Sequence, residues 1–259
     1  MTQTQRHADY DQISQTFDRR YERNPYAGVE RALRQFIGSQ TGLNVLEAGC
    51  GTGHWLKKLR APSIHLTGVD YSAGMLAHAR ERLPGTRLIR SRAEKLPLAD
   101  QSFDRVFCVN AIHHFTDKSA FLADVRRVLQ PGGRLWSVGL DPHSGRDQWF
   151  VYEYFPESLA IDRQRYLSSE ALREQMTGAG FRDCVTEEVE QWSIRLPARE
   201  LIEQGRLDKA STSQLSVLTD AEYRQGVQRI QDDMLRMEQD GQTLFLTVAL
   251  CLYGTSGSV

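Results

Sequence analysis

Residues Asn44 to Ser72 read NVLEAGCGTGHWLKKLRAPSIHLTGVDYS, and the organisation of the chain follows from them. Val45 and Leu46 end a short apolar strand that runs into the loop Glu47-Ala48-Gly49-Cys50-Gly51-Thr52-Gly53. A helix is expected from His54 to Arg60, then a second apolar strand from Ile64 to Val69 that closes at Asp70. Glycines at alternate positions free the backbone to take positive φ and let a ligand lie directly on the main chain. The helix N-terminus beyond the loop offers unpaired N–H groups and a partial positive charge. Asp70 lies 21 residues beyond Gly49, where an acid at a strand end accepts hydrogen bonds from both hydroxyls of a ribose. The unit predicts an adenine-nucleoside site at the edge of a doubly wound sheet.

Dinucleotide sites use G-x-G-x-x-G, whose third glycine allows close helix–strand packing. This loop is G-x-G-x-G and follows the acid Glu47. A carboxylate there repels a pyrophosphate and suits an ammonium or sulfonium group. Three further stretches follow in order. The first is Ala93-Glu94-Lys95-Leu96-Pro97-Leu98 with Asp100-Gln101-Ser102-Phe103-Asp104. The second is Asn110-Ala111-Ile112-His113-His114-Phe115-Thr116-Asp117, and the third is Val128-Leu129-Gln130-Pro131-Gly132-Gly133.

From Asn44 to about Leu140 the chain thus resembles the class I S-adenosylmethionine-dependent methyltransferases, in the ubiquinone/menaquinone-biosynthesis-type (methyltransferase-11-like) branch. The resemblance implies an α/β fold, a Rossmann-like three-layer sandwich. Its sheet is seven-stranded and mostly parallel with an antiparallel last strand, and helical lid elements are added to it. It also implies S-adenosyl-L-methionine as cofactor, bound by Glu47, Gly49, Cys50 (through its backbone), Gly51, Gly53, Asp70, Tyr71, Met75, Ala93, Glu94 and Asn110. Met75 reads equally as a core residue. One position departs from the pattern: many relatives place an Asp before the Ala-Glu pair to accept from the adenine amine, and here stands Arg92, a donor only. The reaction implied is transfer of a methyl group to an O, N, S or carbon nucleophile of a small-molecule acceptor. Rival readings are a non-catalytic S-adenosylmethionine-binding or regulatory protein, a nicotinamide oxidoreductase and a nucleic-acid methyltransferase.

Composition narrows these. At 259 residues, 40% hydrophobic and 25% charged, the chain suits one large domain or one domain with an appended lid. A net charge of −1 gives no basic excess for nucleic acid, and no Asn/Asp-Pro-Pro-Tyr tetrapeptide follows the fourth expected strand. No apolar run reaches membrane-spanning length and the N-terminus lacks a signal-peptide core. The expectation is a cytoplasmic protein, monomer or homodimer, with no nucleic-acid or membrane partner. Cys50, Cys108, Cys184 and Cys251 show neither metal spacing nor a disulfide framework, so reduced thiols and no metal are expected.

Outside the central motifs, Tyr10, Ile13, Phe17 and Tyr21 recur at spacings of three and four, which predicts one amphipathic helix broken at Asn24-Pro25-Tyr26. It reads either as a helix packed on the sheet or as a lid over the cofactor, with residues 1–40 forming that lid. The methyltransferase domain then spans 41–259, with cap segments at about 144–167 and 197–240. Strands are expected to end at Asn110 and at Asp141, and ligands sit in crevices at such carboxyl ends. His113, His114 and His143 are therefore the candidate bases, and two adjacent histidines on extended backbone cannot share one cleft. Trp149, Phe150, Tyr152, Tyr154 and Phe155 crowd seven residues and read as core or as pocket wall. As pocket wall, Trp149, Tyr152 and Tyr154 join Asp141 and the lid aromatics Tyr10, Phe17 and Tyr21 as candidate acceptor-binding residues. A polar helical stretch from Pro197 to Gln239 buries a stripe including Leu201, Ile202, Leu215 and Ile230, and a last strand covers Thr243 to Tyr253, ahead of a mobile tail from Gly254.

Overall fold

The computed structural model of the chain describes residues 10–14, 17–24 and 26–259. These form two compact units. One comprises Tyr10–Asp141, Leu167–Glu190 and Leu252–Val259; the other includes Pro142–Tyr166 and Gln191–Cys251. Among the described residues no helix is long and apolar enough to cross a membrane.

The first unit is built on a sheet. Its strands are β1 (Leu43–Ala48), β2 (Ile64–Asp70), β3 (Arg87–Arg90), β4 (Phe103–Val109) and β5 (Leu129–Leu140). β1 runs parallel to both β2 and β4, β3 is parallel to β2, and β5 is parallel to β4. The order β3-β2-β1-β4-β5 reverses direction at β1, so the crevice beyond the carboxyl ends of β1 and β4 is the switch point where such sheets bind ligands.

Alternation along the strands makes the layers. Leu46, Val106, Cys108 and Leu135 share one buried cluster with Phe121, Leu122 and Val125 of α6 (Lys118–Val128) and with Leu172 and Met176 of α9 (Ser169–Gly178). Their neighbours Val45, Phe107, Val109, Trp136 and Val138 enter a second cluster on the other face. That cluster includes Val29 and Leu33 of α3 (Ala27–Ile37), Trp55 and Leu56 of α4 (His54–Leu59), and Leu76 of α5 (Ala73–Arg82). A period of two on strands buried on both faces yields helix–sheet–helix layering.

The expected mobile tail is instead strand. β8 (Phe245–Ser258) pairs antiparallel with β5 from Leu140↔Leu252 to Arg134↔Ser258. Its glycines carry low strand propensity and read as a tail, but the packing requires them: a Cβ on Gly254 would lie 2.6 Å from Trp136 Nε1. β7 (Arg182–Pro197) also pairs β8. In the other unit the two-residue β6 (Gln148–Trp149) pairs β8 at Trp149↔Val248. Among the described residues the sheet therefore has eight strands, one more than expected.

The second unit holds the aromatic run. α7 (Phe150–Tyr154), α8 (Pro156–Arg165), α10 (Ala198–Glu203), α11 (Ser213–Ser216) and α12 (Asp220–Gln239) pack around Trp149, Phe150, Tyr154 and Phe155 with Leu201, Leu215 and Ile230. Ile202, expected in the buried stripe, is exposed. The segments 144–166 and 197–240 fall together in this unit.

Candidate cofactor site at the end of the first strand

The glycine loop is fastened to the end of β2. Gly49 and Cys50 both donate their N–H to the Val69 carbonyl, at 2.8 and 3.0 Å, and Gly53 N–H closes back on the Cys50 carbonyl at 2.9 Å. Gly49, Gly51 and Gly53 all have positive φ, at 74°, 52° and 75°. Gly49 has a second constraint: a Cβ there would lie 2.5 Å from that of Ala111. Gly49→Ala is expected to lower stability by at least about 1–3 kcal/mol through backbone strain alone, measured by urea denaturation. A change within about 0.5 kcal/mol would show that the loop relaxes freely. At Gly51 a Cβ would meet only the edge of the Phe17 ring, at 3.7 Å, an ordinary van der Waals contact, so the aromatic lies directly over the middle of the loop. Cys50 is buried, with its thiol pushed well up by burial and then by the charges of Glu47 and Asp70.

Two carboxylates stand at this point. Glu47 is 1% exposed and its Oε2 has no hydrogen-bond partner. Burial, then the charge of Asp70, raises its carboxyl well above the usual range, and a Leu56 backbone N–H offsets this only in part. Asp70 accepts Gly51 N–H on Oδ2 at 2.8 Å and Ser72 N–H on Oδ1 at 2.9 Å. Burial outweighs those hydrogen bonds and its carboxyl also moves up. Each carboxylate oxygen has room for a second donor, so Asp70 can still take hydroxyls. A buried acid with an orphan oxygen beside a backbone cradle fits a ligand carrying a cation and a ribose.

The N-terminal aromatics are not on one helix. α1 (Tyr10–Ile13) and α2 (Arg19–Arg23) are separate, because polar side chains between the stripe residues bond elsewhere. Ser14 Oγ donates to the Asp11 carbonyl at 3.0 Å, and Asp18 accepts Thr52 Oγ1 at 2.6 Å and pairs with Arg82. Burial pushes the Asp18 carboxyl up, but the hydrogen bonds from Arg82 and Thr52 prevail and hold it below its ordinary value. Tyr21 stacks on His54 with ring centroids 3.5 Å apart and planes within 6°. Burial, reinforced by the Lys58 charge, pushes His54 down to about 4, so it is neutral at pH 7. Phe17 meets Tyr10 and Tyr21 edge-on at 5.8 and 6.3 Å. Pro25, expected to break the helix, lies outside the described residues.

Beyond β4, Asn110 takes a positive φ of 51° and donates its N–H to the Val138 carbonyl at 2.8 Å. Ile112–His114 then form a short 3-10 turn rather than extended backbone, and the two imidazoles pack together at 3.9 Å. His113 is buried, while Nε2 of His114 lies 2.5 Å from the Tyr10 hydroxyl.

The other expected positions have these surroundings. Met75 is 1% exposed and is core; its place in the first helical turn after Ser72 turns it inward. Ala93 is also buried. Glu94 Oε1 accepts the N–H groups of Thr116 and Asp117 at 2.8 and 3.5 Å, so it shapes the loop after β4. Tyr71 is 60% exposed, with the Arg92 guanidinium 5.2 Å from its ring. Asp141 accepts Ser169 N–H at 2.8 Å, at the start of α9. His143 donates Nε2–H to the Tyr166 carbonyl at 3.0 Å within the second unit. Trp149, Tyr152 and Tyr154 belong to that unit's hydrophobic cluster, and the two tyrosine hydroxyls donate to Asp162 and Asp233 at 2.7 and 2.9 Å. The aromatic run fills that core together with apolar residues of the later helices, among them Leu201, Leu215 and Ile230. Asp11 and Asp18 were not singled out from sequence, since isolated polar residues in an amphipathic stretch read as its solvated face.

Comparison with known proteins places this geometry. Residues 46–137 match the family described as a methyltransferase domain. The phthiotriol/phenolphthiotriol dimycocerosates methyltransferase of Mycobacterium leprae is 36% identical over 138 residues, 51% of this chain and 50% of that protein. The malonyl-[acyl-carrier protein] O-methyltransferase of Pectobacterium atrosepticum is 35% identical over 128 residues, 47% of this chain and 50% of its own. The chain thus spans about half the length of the curated relatives it matches. Among solved structures, a SAM-dependent methyltransferase from Aquifex aeolicus superposes with a TM-score of 0.56 at 22% identity, covering 70% of this chain and 93% of that one. Phosphoethanolamine N-methyltransferase 2 of Haemonchus contortus, in complex with S-adenosyl-L-methionine, gives 0.57 at 21% identity, covering 90% and 52%. Motif order, strand order and these matches agree: residues 46–137 are similar to the methyltransferase domain, and the chain shares the fold of these S-adenosylmethionine-dependent methyltransferase structures.

Proposed function

We propose that this protein transfers a methyl group from S-adenosylmethionine to a small-molecule acceptor. The observation that carries the reading is Glu47: a buried carboxylate with an unpartnered oxygen, at the switch point of the sheet, beside a glycine cradle. An uncompensated buried charge is costly, and the ammonium of the methionine moiety supplies the missing partner. Asp70 then takes the ribose hydroxyls and the Gly49–Gly53 main chain carries the body of the ligand. The cofactor, when bound, supplies an electrophilic methyl on a sulfonium. Such a reaction neutralises charge as it proceeds, so the chain's contribution is alignment and exclusion of water. Phe17, Tyr21 and the neutral His54 provide apolar cover. His114, held by the Tyr10 hydroxyl, is the best-placed group to take a proton from an acceptor nucleophile.

The test is calorimetry with S-adenosylhomocysteine and NADH, followed by methyl-labelled cofactor with a panel of acceptors. The relatives' names justify including phthiotriol and phenolphthiotriol dimycocerosates and malonyl-[acyl-carrier protein] in that panel. Binding of S-adenosylhomocysteine with no transfer to any acceptor would favour a regulatory S-adenosylmethionine-binding protein. NADH binding in its place would overturn the reading. In the same assay Asp70→Ala is expected to lose at least about tenfold in affinity, one charge-assisted hydrogen bond contributing about 1.5–3 kcal/mol. Unchanged binding would remove Asp70 from the site.

A further inference from the structure

Ser72 is shared by two carboxylates from distant parts of the sequence. Its N–H donates to Asp70 Oδ1 at 2.9 Å and its hydroxyl to Asp11 Oδ1 at 2.5 Å. The same Asp11 oxygen accepts Gly74 N–H at 2.9 Å, while Ser72 Oγ accepts Met75 N–H at 3.0 Å. Gly74 and Met75 contribute opening amides of α5, the helix that follows β2. A helix N-terminus in this position is a place where a phosphate is readily held, yet here its donors are already turned onto side chains of the protein, one of them a carboxylate.

Charge points the same way. The Ser72 hydroxyl, and next the Gly74 N–H, hold the Asp11 carboxyl below its ordinary value, so it is ionised at neutral pH. Asp11 in turn adds to the upward shift of Asp70, behind burial. Two acids bonded to one serine therefore stand together at the end of β2, where the proposed reading puts the ribose hydroxyls. A hydroxyl can donate to either. A phosphate ester at the same carbon carries nearly two negative charges and no donor to match.

We propose that Asp11 is a specificity-determining residue, which makes this site admit adenine nucleosides with free ribose hydroxyls and reject those phosphorylated at the 2′ or 3′ position. The proposal rests on the reading of Glu47 to Asp70 as an adenosine site. It assigns the N-terminal segment a task separate from covering the methyl group: a second carboxylate delivered to the ribose end.

The experiment uses the full chain and displacement of S-adenosylhomocysteine by adenosine, adenosine 2′-monophosphate and adenosine 3′-monophosphate, followed by calorimetry. The wild-type protein is expected to bind adenosine at least about a hundredfold more tightly than either monophosphate. In Asp11→Asn and Asp11→Ala that ratio is expected to narrow at least about tenfold, whichever way the affinity for S-adenosylhomocysteine itself moves, and Asp11→Glu restores it. Raising salt from 0.05 to 0.5 M is expected to narrow the wild-type ratio, because an exposed carboxylate is screened, and to change the Asp11→Asn ratio less. Equal ratios in wild type and both neutral variants overturn the proposal. Failure of the wild-type protein to bind either S-adenosylhomocysteine or adenosine overturns the underlying reading instead, and the two failures are told apart in one titration series.

Discussion

Glu47→Gln is expected to stabilise the ligand-free protein and to weaken cofactor binding at the same time. Glu47 is 1% exposed with an orphan oxygen, and burial together with Asp70 raises its carboxyl well above the usual range. A carboxyl whose pKa is higher folded than unfolded favours the folded state most at low pH. That contribution is lost as pH rises from the ordinary carboxylate value through the raised one. By pH 7 the lost contribution amounts to about 1.4 kcal/mol for each unit the folded pKa lies above the ordinary value, up to about 3 kcal/mol. Glutamine keeps the shape and has no charge to bury, so a gain of about 1–3 kcal/mol is expected at pH 7 and little or none at pH 4.5. Urea denaturation at both values measures it. Binding moves the other way: removing one partner of a buried ion pair costs about 3–5 kcal/mol, more than a hundredfold in affinity for S-adenosylhomocysteine. Wild-type binding should release a proton where Glu47 is still protonated, visible as a calorimetric enthalpy that depends on the buffer; the glutamine variant should show none. A destabilised variant with normal affinity would mean that Glu47 supports the loop and not the ligand.

Phe155→Ala is expected to cost about 3–5 kcal/mol of stability, the range for a buried aromatic truncated in a core. Phe155 is fully buried at the junction of α7 and α8, stacks on Tyr223 at 6.1 Å, and lies so close to α12 that a Cβ on Gly226 would come within 2.1 Å of its ring. The cavity left behind has few ways to collapse, because its other wall is the helix backbone at Gly226. Denaturant unfolding of the variant decides the matter. A loss below about 1 kcal/mol, with acceptor binding impaired, would restore the alternative in which the Trp149–Phe155 run lines a pocket. The hydroxyls of Tyr152 and Tyr154, on Asp162 and Asp233, argue for the core: both are committed to partners of the same unit.

What could be read directly from the residues was local. Asn44 to Ser72 carries its own strand, loop, helix and strand because positive-φ glycines, an N-cap serine at Ser72 and apolar strand runs act within a few residues of one another. The parallel order followed from the motif sequence, and Glu47 and Asp70 stood out because an acid at a strand end is unusual and visible. Long-range matters were not legible. Gly254 and Gly257 look like a tail until Trp136, Cys184 and Met176 are seen filling the space where side chains would be. The aromatic run from Trp149 is equally good as wall or core until its partners from Leu201 to Leu246, roughly fifty to a hundred residues away, close around it. Asp11 and Asp18 carry no pattern of their own; only the return of the N-terminal segment to Ser72 and Thr52 gives them partners. The sequence by itself determined the glycine loop and the sheet that presents it, since both rest on propensities and spacings local to the chain. Tertiary structure alone decided which polar side chains meet there, because a hydrogen bond across sixty residues depends on where the backbone returns and leaves no periodic trace.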